Sequence, residues 1–296
     1  MPCEGILYIE LHADDFGATP SVNKNILSAW YAGALDGVSV IANGEGIYEA
    51  AKEIKTDINR PLRLAVHLNL SEGRPLVDTQ LVKLLVDKDG YFLHSFLGIW
   101  TLWHSCSKLQ RQELLEQVKA EWREQIRRVI DLFFPRPVTR VDGHIHIHML
   151  PFLFPVAVEL AREFNIPEIR ISREIYHLSF KDSLGFHFVL NNFKHLLLNV
   201  LAGPARKIAK DLVSPDAVAG ILYSGHMTYE TTLAAVKAAK KAKLNWLELI
   251  FHPGRATPLE ANRWKGKQAF LARFYRAYHR DVERDTLIRI AKEGLF

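Results

Sequence analysis

The sequence contains few cysteines, and none of them forms a recognisable pattern. The two cysteines, Cys3 and Cys106, lie far apart, and this spacing fits neither a zinc knuckle nor a disulfide framework. A reducing compartment, and with it a cytoplasmic location, is the simplest expectation. The amino terminus enters a strand-like segment without the basic region and small-residue cleavage site of an export signal, so the sequence gives no reason to expect export.

The chain also lacks an uninterrupted apolar run long enough to cross a bilayer. The two most apolar stretches are 92–104 and 186–198. The second contains Lys194, His195 and a pair of asparagines, and both are shorter than the roughly 20 residues that a membrane helix needs. We therefore predict no transmembrane segment.

No segment interleaves basic and aromatic residues in the way that nucleic-acid binding surfaces do, so we expect no nucleic-acid partner. The formal net charge is +5, and the basic residues are spread over helical faces such as 237–243 and 273–284. We interpret these faces first as solvated surface, and second as surfaces that attract anionic partners or substrates.

Apolar runs rich in β-branched residues alternate with segments of helical period, a pattern typical of repeated βα units and a parallel sheet. The 296 residues and 48% hydrophobic content suit one α/β barrel domain over 1–296 with about seven parallel strands. The predicted strands are 6–13, 38–42, 62–70, 140–148, 168–172, 218–224 and 246–252. The predicted helices are 22–32, 47–54, 109–133, 152–164, 205–212, 228–241 and 268–292.

Two segments interrupt this alternation, 71–108 and 175–203, and both follow predicted strands. Insertions after strands lie on the catalytic face of such a barrel, so both are candidate substrate walls. Their aromatic content predicts a substrate with an apolar portion, although rings also stack on sugars. The alternatives are that they cover the core or form a subunit contact, which leaves homo-oligomerisation open. The aromatic residues are Trp100, Trp103, Phe186, Phe188 and Phe193.

The first predicted strand ends at two adjacent carboxylates, Asp14 and Asp15, followed by Phe16 and Gly17. Neighbouring residues on an extended chain point to opposite faces. One carboxylate can therefore bind a metal while a turn brings the other to a reacting water. The alternative is that the pair only caps the helix beginning near Ser21.

The block 142–148 alternates histidine with isoleucine, and this alternation favours a strand over a helix. On a strand His144 and His148 would lie about 13 Å apart, too far for one ion. We therefore expect one or two of the three imidazoles to bind a given metal. His67 at the end of the third strand and Asp15 would complete a set of histidine and carboxylate ligands, which is typical of a catalytic metal site. Such a mixed set accepts either Mg²⁺ or Zn²⁺.

Three motifs together resemble the YdjC-like carbohydrate deacetylase family, which includes chitooligosaccharide and hopanoid-associated deacetylases. The motifs are Ala13-Asp14-Asp15-Phe16-Gly17, then Val66-His67-Leu68-Asn69-Leu70 followed by Glu72-Gly73-Arg74-Pro75, and Asp142-Gly143-His144-Ile145-His146-Ile147-His148-Met149. The resemblance implies a distorted (β/α) TIM-like barrel and a metal-dependent hydrolase that removes N-acetyl groups from amino sugars. It further implies Asp15, His67 and His144 as metal ligands and Asp14 as general base.

The remaining candidate residues carry open alternatives. We expect His252, in a late His-Pro-Gly element, to protonate the leaving nitrogen, with His226 as its rival and otherwise a substrate contact. Arg170 and Glu174 are expected to orient Asp14 or bind sugar hydroxyls, unless they form a surface salt bridge. Asn69 is a further candidate for substrate binding. The alternative functions are another amidohydrolase or phosphoesterase barrel, or a non-catalytic barrel that binds sugar or lipid.

Overall fold

The structure is a computed structural model and describes residues 6–179, 186–264 and 269–296. Seven strands form one parallel sheet, in the spatial order β5-β4-β3-β2-β1-β7-β6. They are β1 Tyr8–Phe16, β2 Gly37–Val40, β3 Arg63–Leu68, β4 Val138–Gly143, β5 Glu168–Ile169, β6 Ala217–Ala219 and β7 Trp246–Phe251. The predicted parallel α/β architecture with seven strands is confirmed.

The sheet curls so that its two ends approach each other. Beyond β5, Glu174 forms a parallel bridge with Val218 of β6. The amide of Ile175 donates to the carbonyl of Val218, 3.1 Å away, and the amide of Val218 donates to that of Arg173. This irregular contact brings the sheet towards closure, so the fold is a distorted barrel.

Helices cover the outside of the sheet. In the described part of the chain they are α1 Pro20–Tyr31, α2 Ile47–Thr56, α3 Phe96–Ser105, α4 Lys108–Phe133, α5 Phe154–Glu163, α6 Phe186–Ile208, α7 Tyr229–Lys241, α8 Pro258–Arg263, α9 Ala269–Tyr275 and α10 His279–Glu293. Short 3₁₀ segments occupy Thr79–Leu81 and His144–Met149. No helix among the described residues combines the length and apolarity that a bilayer crossing requires.

Several predicted boundaries were wrong. The helix predicted at 205–212 is α6, which begins at Phe186, so most of the segment taken as an insertion is helical. The helix predicted at 268–292 is divided into α9 and α10, and Gln268 lies outside the described residues. Helix α3 within 71–108 was not predicted. The division of the chain into a single domain stays a prediction.

The interior of the barrel carries buried charges instead of a purely apolar filling. Arg140 donates to both oxygens of Glu10 and, 2.8 Å away, to Glu248. Arg170 then bonds Glu248 from the other side. All four residues are at most 1% exposed, and buried charges are tolerated when they are paired in this way. The network therefore links the base of the barrel to its carboxyl-terminal mouth.

Candidate active site

The end of β1 departs from regular strand geometry at the two carboxylates. The register with β2 shifts between Ala13 and Phe16, and Asp15 has φ of 71°, a left-handed conformation that aspartate adopts more readily than most residues. On a regular strand the two side chains would point to opposite faces. The bulge lets both lie beside His67, since Asp14 Oδ2 and Asp15 Oδ1 lie 3.9 and 4.0 Å from its Nε2.

The alternative that the carboxylate pair caps a helix is wrong. Helix α1 begins at Pro20, and its N-cap is Thr19, whose side chain accepts a hydrogen bond from the amide of Val22. Asp14 and Asp15 are instead almost completely buried at the mouth of the barrel. Their position is therefore a feature of the site and not of the helix start.

The histidine block is not a strand, contrary to the prediction. Strand β4 ends at Gly143, and His144–Met149 follows as 3₁₀ turns with positive φ at Ile145 and His146. Glycine is required at 143 because a Cβ there would lie 2.5 Å from Nδ1 of His148. The three imidazoles consequently point to three different partners.

Of these imidazoles, only His144 joins the carboxylate cluster. His146 Nδ1 lies 3.0 Å from the Ser172 hydroxyl, and His148 Nε2 donates to the backbone carbonyl of Arg170. The expectation that one or two of the three would serve a metal is compatible with this arrangement. The physical reason is the turn, because it rotates successive side chains away from one another.

Asp15, His67 and His144 form a compact triad. One ligand atom from each lies within 4.8 Å of the other two, and Asp15 Oδ1 is 3.3 Å from His144 Nδ1. All three side chains are buried. Two other buried groups, Glu10-His12-Glu248 and His12-Asp14-Asp142, meet the same distance criterion. Their carboxylates are paired with Arg140 or Arg170, whereas Asp15 pairs with Arg280 through Oδ2 and its Oδ1 accepts no hydrogen bond among the described residues.

The other ring nitrogen of each triad histidine is held by a carboxylate. His67 Nδ1 lies 2.6 Å from Oδ1 of Asp142, and His144 Nε2 lies 2.8 Å from Oε2 of Glu72. Carboxylate partners of this kind fix the tautomer and the ring orientation of metal-binding histidines. They leave Nε2 of His67 and Nδ1 of His144 directed at Asp15.

Asp14 is held by a two-pronged ion pair with Arg170. Both carboxylate oxygens accept hydrogen bonds of 3.0 Å from the guanidinium. Burial alone would raise the pKa of Asp14, but the charge of Arg170, with smaller contributions from His67 and His252, holds that pKa well below its usual range. Asp14 is therefore ionised at neutral pH and fixed in orientation.

The two hydrogen bonds to Asp14 are compatible with the expectation that Arg170 orients this carboxylate. Its guanidinium is fully buried and also pairs with Asp142 and Glu248. Burial opposes its charge, yet these carboxylates raise the pKa of Arg170 well above the usual value. The alternative of a surface salt bridge is wrong.

Glu174 and Asn69 both bond backbone groups of neighbouring loops, and their expected role in substrate binding stays a prediction. Glu174 accepts hydrogen bonds from the backbone amides of 220–222. Asn69 accepts from the amides of Ser71 and Glu72 and donates to the carbonyl of Glu72. Both are buried, so their polar atoms are used internally.

His252, at the end of β7, lies in the electrostatic field of the two carboxylates. Burial lowers its pKa to about 4, and the charges of Asp15 and Asp14 oppose that shift. Its Nδ1 has no hydrogen-bond partner among the described residues and lies 3.9 Å from Glu283. Burial raises the pKa of Glu283 to about 7. His226 instead lies against His279, with ring centroids 3.8 Å apart.

Sequence reasoning missed the residues that reach the site from distant segments. Arg280 donates to Oδ2 of Asp15 at 3.0 Å, and Trp264 donates from its indole to Glu72. Lys194 of α6 is half-buried. Burial lowers its pKa to about 8, while Glu174 and Asp14 oppose that shift. No local motif marks these three residues, whereas Glu72 and Asp142, the carboxylate partners of the triad histidines, are part of the recognised motifs.

The family model described as YdjC-like protein matches residues 8–291. A carbohydrate deacetylase of Clostridium beijerinckii is 31% identical over 157 residues, 53% of this chain and 57% of that protein. A chitooligosaccharide deacetylase of Yersinia enterocolitica is 35% identical over 164 residues, which are 55% of this chain and 58% of that protein. A carbohydrate deacetylase of Danio rerio is 32% identical over 161 residues, which are 54% of this chain and 48% of that protein. The chain thus spans about half the length of the curated relatives it matches.

A solved structure supports the fold independently. It is that of an Enterococcus faecalis protein named for a proposed role in cellobiose-phosphate cleavage, with a TM-score of 0.70 and 22% identity. The superposition covers 97% of this chain and 93% of the other. At this identity the likeness concerns the fold alone.

Proposed function

The chain belongs to the family of YdjC-like proteins, and from this membership and the geometry of the site we propose that it is a metal-dependent deacetylase of N-acetylated amino sugars. The observation that supports this proposal most directly is the position of Asp15 Oδ1, which accepts no hydrogen bond within the described part of the chain and lies between two imidazole nitrogens. Beside it stands the ionised, oriented carboxylate of Asp14. The relatives named carbohydrate and chitooligosaccharide deacetylase support the substrate class.

The donor set fits a divalent ion. A buried carboxylate oxygen without a hydrogen-bond partner is costly, and Asp15 Oδ1 has none among the described residues. Cation binding would remove that cost, with His67 Nε2 and His144 Nδ1 as the other ligands. The oxygen and two nitrogens suit Zn²⁺ and also accept Mg²⁺. Such an ion supplies a Lewis acid that polarises an amide carbonyl and makes water more acidic.

The protein's own residues provide the proton transfers. Asp14 takes the proton of the attacking water, because Arg170 holds its carboxylate ionised and correctly oriented. His252 is neutral at pH 7. It must therefore first take up a proton within the site, which it then donates to the departing nitrogen. The proximity of His252 to both carboxylates favours it over His226 for this step. Lys194 is protonated at pH 7 and is a second candidate donor.

Metal binding is expected to displace a proton from His144. Although burial opposes it, the adjacent carboxylates of Asp15 and Glu72 raise the pKa of His144 to about 10, so the ring is charged at neutral pH. A ligand nitrogen must lose its proton. The apparent affinity for Zn²⁺ should therefore increase by about tenfold per pH unit between about pH 6 and 8. Calorimetry in two buffers of different ionisation enthalpy should report release of about one proton, whereas pH-independent binding would contradict this.

The arrangement of the two insertions, 71–108 and 175–203, agrees only in part with the expectation that they form walls of the substrate site. Helices α3 and α6 both contact the 3₁₀ segment that carries His144, so they flank the site. Trp103, however, stacks on Phe152 at 4.2 Å, and Trp100 packs edge-on against the same ring. The side chains of Phe186 and Phe188 lie outside the described residues. An apolar aglycone on the substrate stays a proposal, as does a cytoplasmic location.

An acetate-release screen across N-acetylated sugars and glycolipids tests the proposed function directly. The protein is treated with a chelator, and Zn²⁺ or Mg²⁺ is then restored. We expect release to stop on chelation, to return with metal, and to be lost in His144→Ala, while the exposed His104→Ala remains active. Sugar phosphates are assayed in parallel. Phosphate release without acetate release, or release that resists chelation, would overturn the proposal.

A further inference from the structure

The outer face of α6 is apolar where a barrel helix is normally polar. Phe193, Leu196 and Val200 are 65, 62 and 64% exposed. Their spacing of three and four residues places them on one face of the helix. The opposite face is the buried one, carrying Leu198 and Ala202. A contiguous exposed apolar patch of this kind is typical of an interaction surface.

Basic residues lie at the end of this face. Arg206, Lys207 and Lys210 are all exposed, and Lys207 continues the line of Phe193 and Val200 at seven-residue intervals. Asp211, the acidic residue that follows, is already paired with Arg162. The end of α6 therefore presents uncompensated positive charge beside an apolar face.

The end of α7 extends the same charge. Lys237, Lys240, Lys241 and Lys243 are exposed. Asp216 links the end of α6 to the loop that follows α7, because its carbonyl accepts from Arg206 and its carboxylate accepts from the amide of Asn245, 2.7 Å away. Lysines at helix C-termini stabilise the helix dipole in any protein. The helix dipole does not explain the exposed apolar face of α6. The positive charge beside this face indicates that an anionic partner covers it.

We propose that α6 is a docking surface for an anionic lipid bilayer. An apolar helix face that inserts at the interface, together with several lysines near the headgroups, is the combination that holds proteins on anionic membranes. The buried face of the same helix reaches the mouth of the barrel, where His195 contacts Glu174 and Asn191 donates to Leu222. A bilayer on the outer face would thus lie beside the entrance to the site.

Vesicle co-sedimentation tests this surface without reference to catalysis. The protein should bind vesicles containing phosphatidylglycerol, bind phosphatidylcholine vesicles at least tenfold more weakly, and dissociate as salt is raised. Replacing Phe193, Leu196 and Val200 together by serine should weaken binding at least tenfold. Lys207→Gln with Lys210→Gln should weaken it about 25-fold, at about 1 kcal/mol per charge.

Matched controls separate the surface from general stickiness. Serine at Leu81, Leu109 and Leu259, which are 61, 75 and 60% exposed, and glutamine at the exposed Lys52 and Lys88 should leave binding unchanged. Absence of binding to anionic vesicles, or equal loss in the controls, would overturn the proposal. So would light scattering that shows a dimer converted to monomer by the α6 serine variant, since the face would then join two copies.

Discussion

Replacing Asp14 by asparagine should lower kcat by about 10²–10⁴-fold, the usual contribution of a general base, while Zn²⁺ affinity stays nearly unchanged. The amide keeps the shape and hydrogen-bonding position of the carboxylate but cannot accept the proton of water. Calorimetry of Zn²⁺ binding and acetate release, measured on the same preparation, separate the chemical step from metal binding.

The neighbouring carboxylate provides the matched control for this variant. Asp15→Asn should lose both metal and activity, because it changes the oxygen that lies between the two imidazoles. Asp211→Asn, at an exposed pair, should change neither. If Asp14→Asn kept near-normal acetate release, Asp14 would be a structural residue, and an equal loss of metal would place it among the ligands.

Replacing Arg170 by methionine should lower the unfolding free energy by about 3–5 kcal/mol, the cost of breaking a buried ion pair on one side. The variant leaves Asp14, Asp142 and Glu248 buried without their shared cation. For a protein of this size Tm should drop by on the order of 10 °C. Arg162→Met, at a surface pair, should leave Tm nearly unchanged, because exposed ion pairs contribute little to stability.

The stability that Arg170 contributes should decrease at low pH. Arg170 lowers the pKa of Asp14 and, against the effect of burial, that of Asp142 to about 2. This stabilisation is present above the unfolded carboxylate pKa of about 3.9 and is lost as pH falls through the folded values. The difference in Tm from wild type should therefore shrink below about pH 4.

A conservative variant keeps the test of Arg170 informative if the methionine variant fails to fold. Arg170→Lys retains the charge but cannot bridge Asp14 through two parallel hydrogen bonds. It should keep most of the stability and lose activity, because Asp14 is no longer oriented. Full activity in Arg170→Lys would show that orientation by Arg170 is dispensable.

The alternation of strands and helices and the residue types at strand ends could be predicted because they depend on local patterns. Buried parallel strands appear as short apolar runs, and their carboxyl ends lie on one face of the barrel. Asp15, His67 and His144 follow from these two facts and the recognised motifs. The predictions were wrong where the local pattern differs from the structure that tertiary contacts impose.

Helix α6 and the histidine block illustrate that failure. Gly203 and Pro204 mark a helix boundary in sequence, yet α6 passes through Pro204, because packing against the barrel overrides local propensity. The alternation of histidine with isoleucine has the period of a strand, but Gly143 admits the turn that carries His144. The periodicity of a sequence gives no information about such steric requirements.

By itself the sequence determined the parallel architecture, the kinds of ligand available and the absence of a disulfide pattern. Only the tertiary structure decided which polar groups meet and in what charge state. Arg170 reaches Asp14 across 156 residues, and Arg280 reaches Asp15 across 265. Burial and these pairings set the pKa values of the site, and both arise from contacts between segments that are remote in the chain.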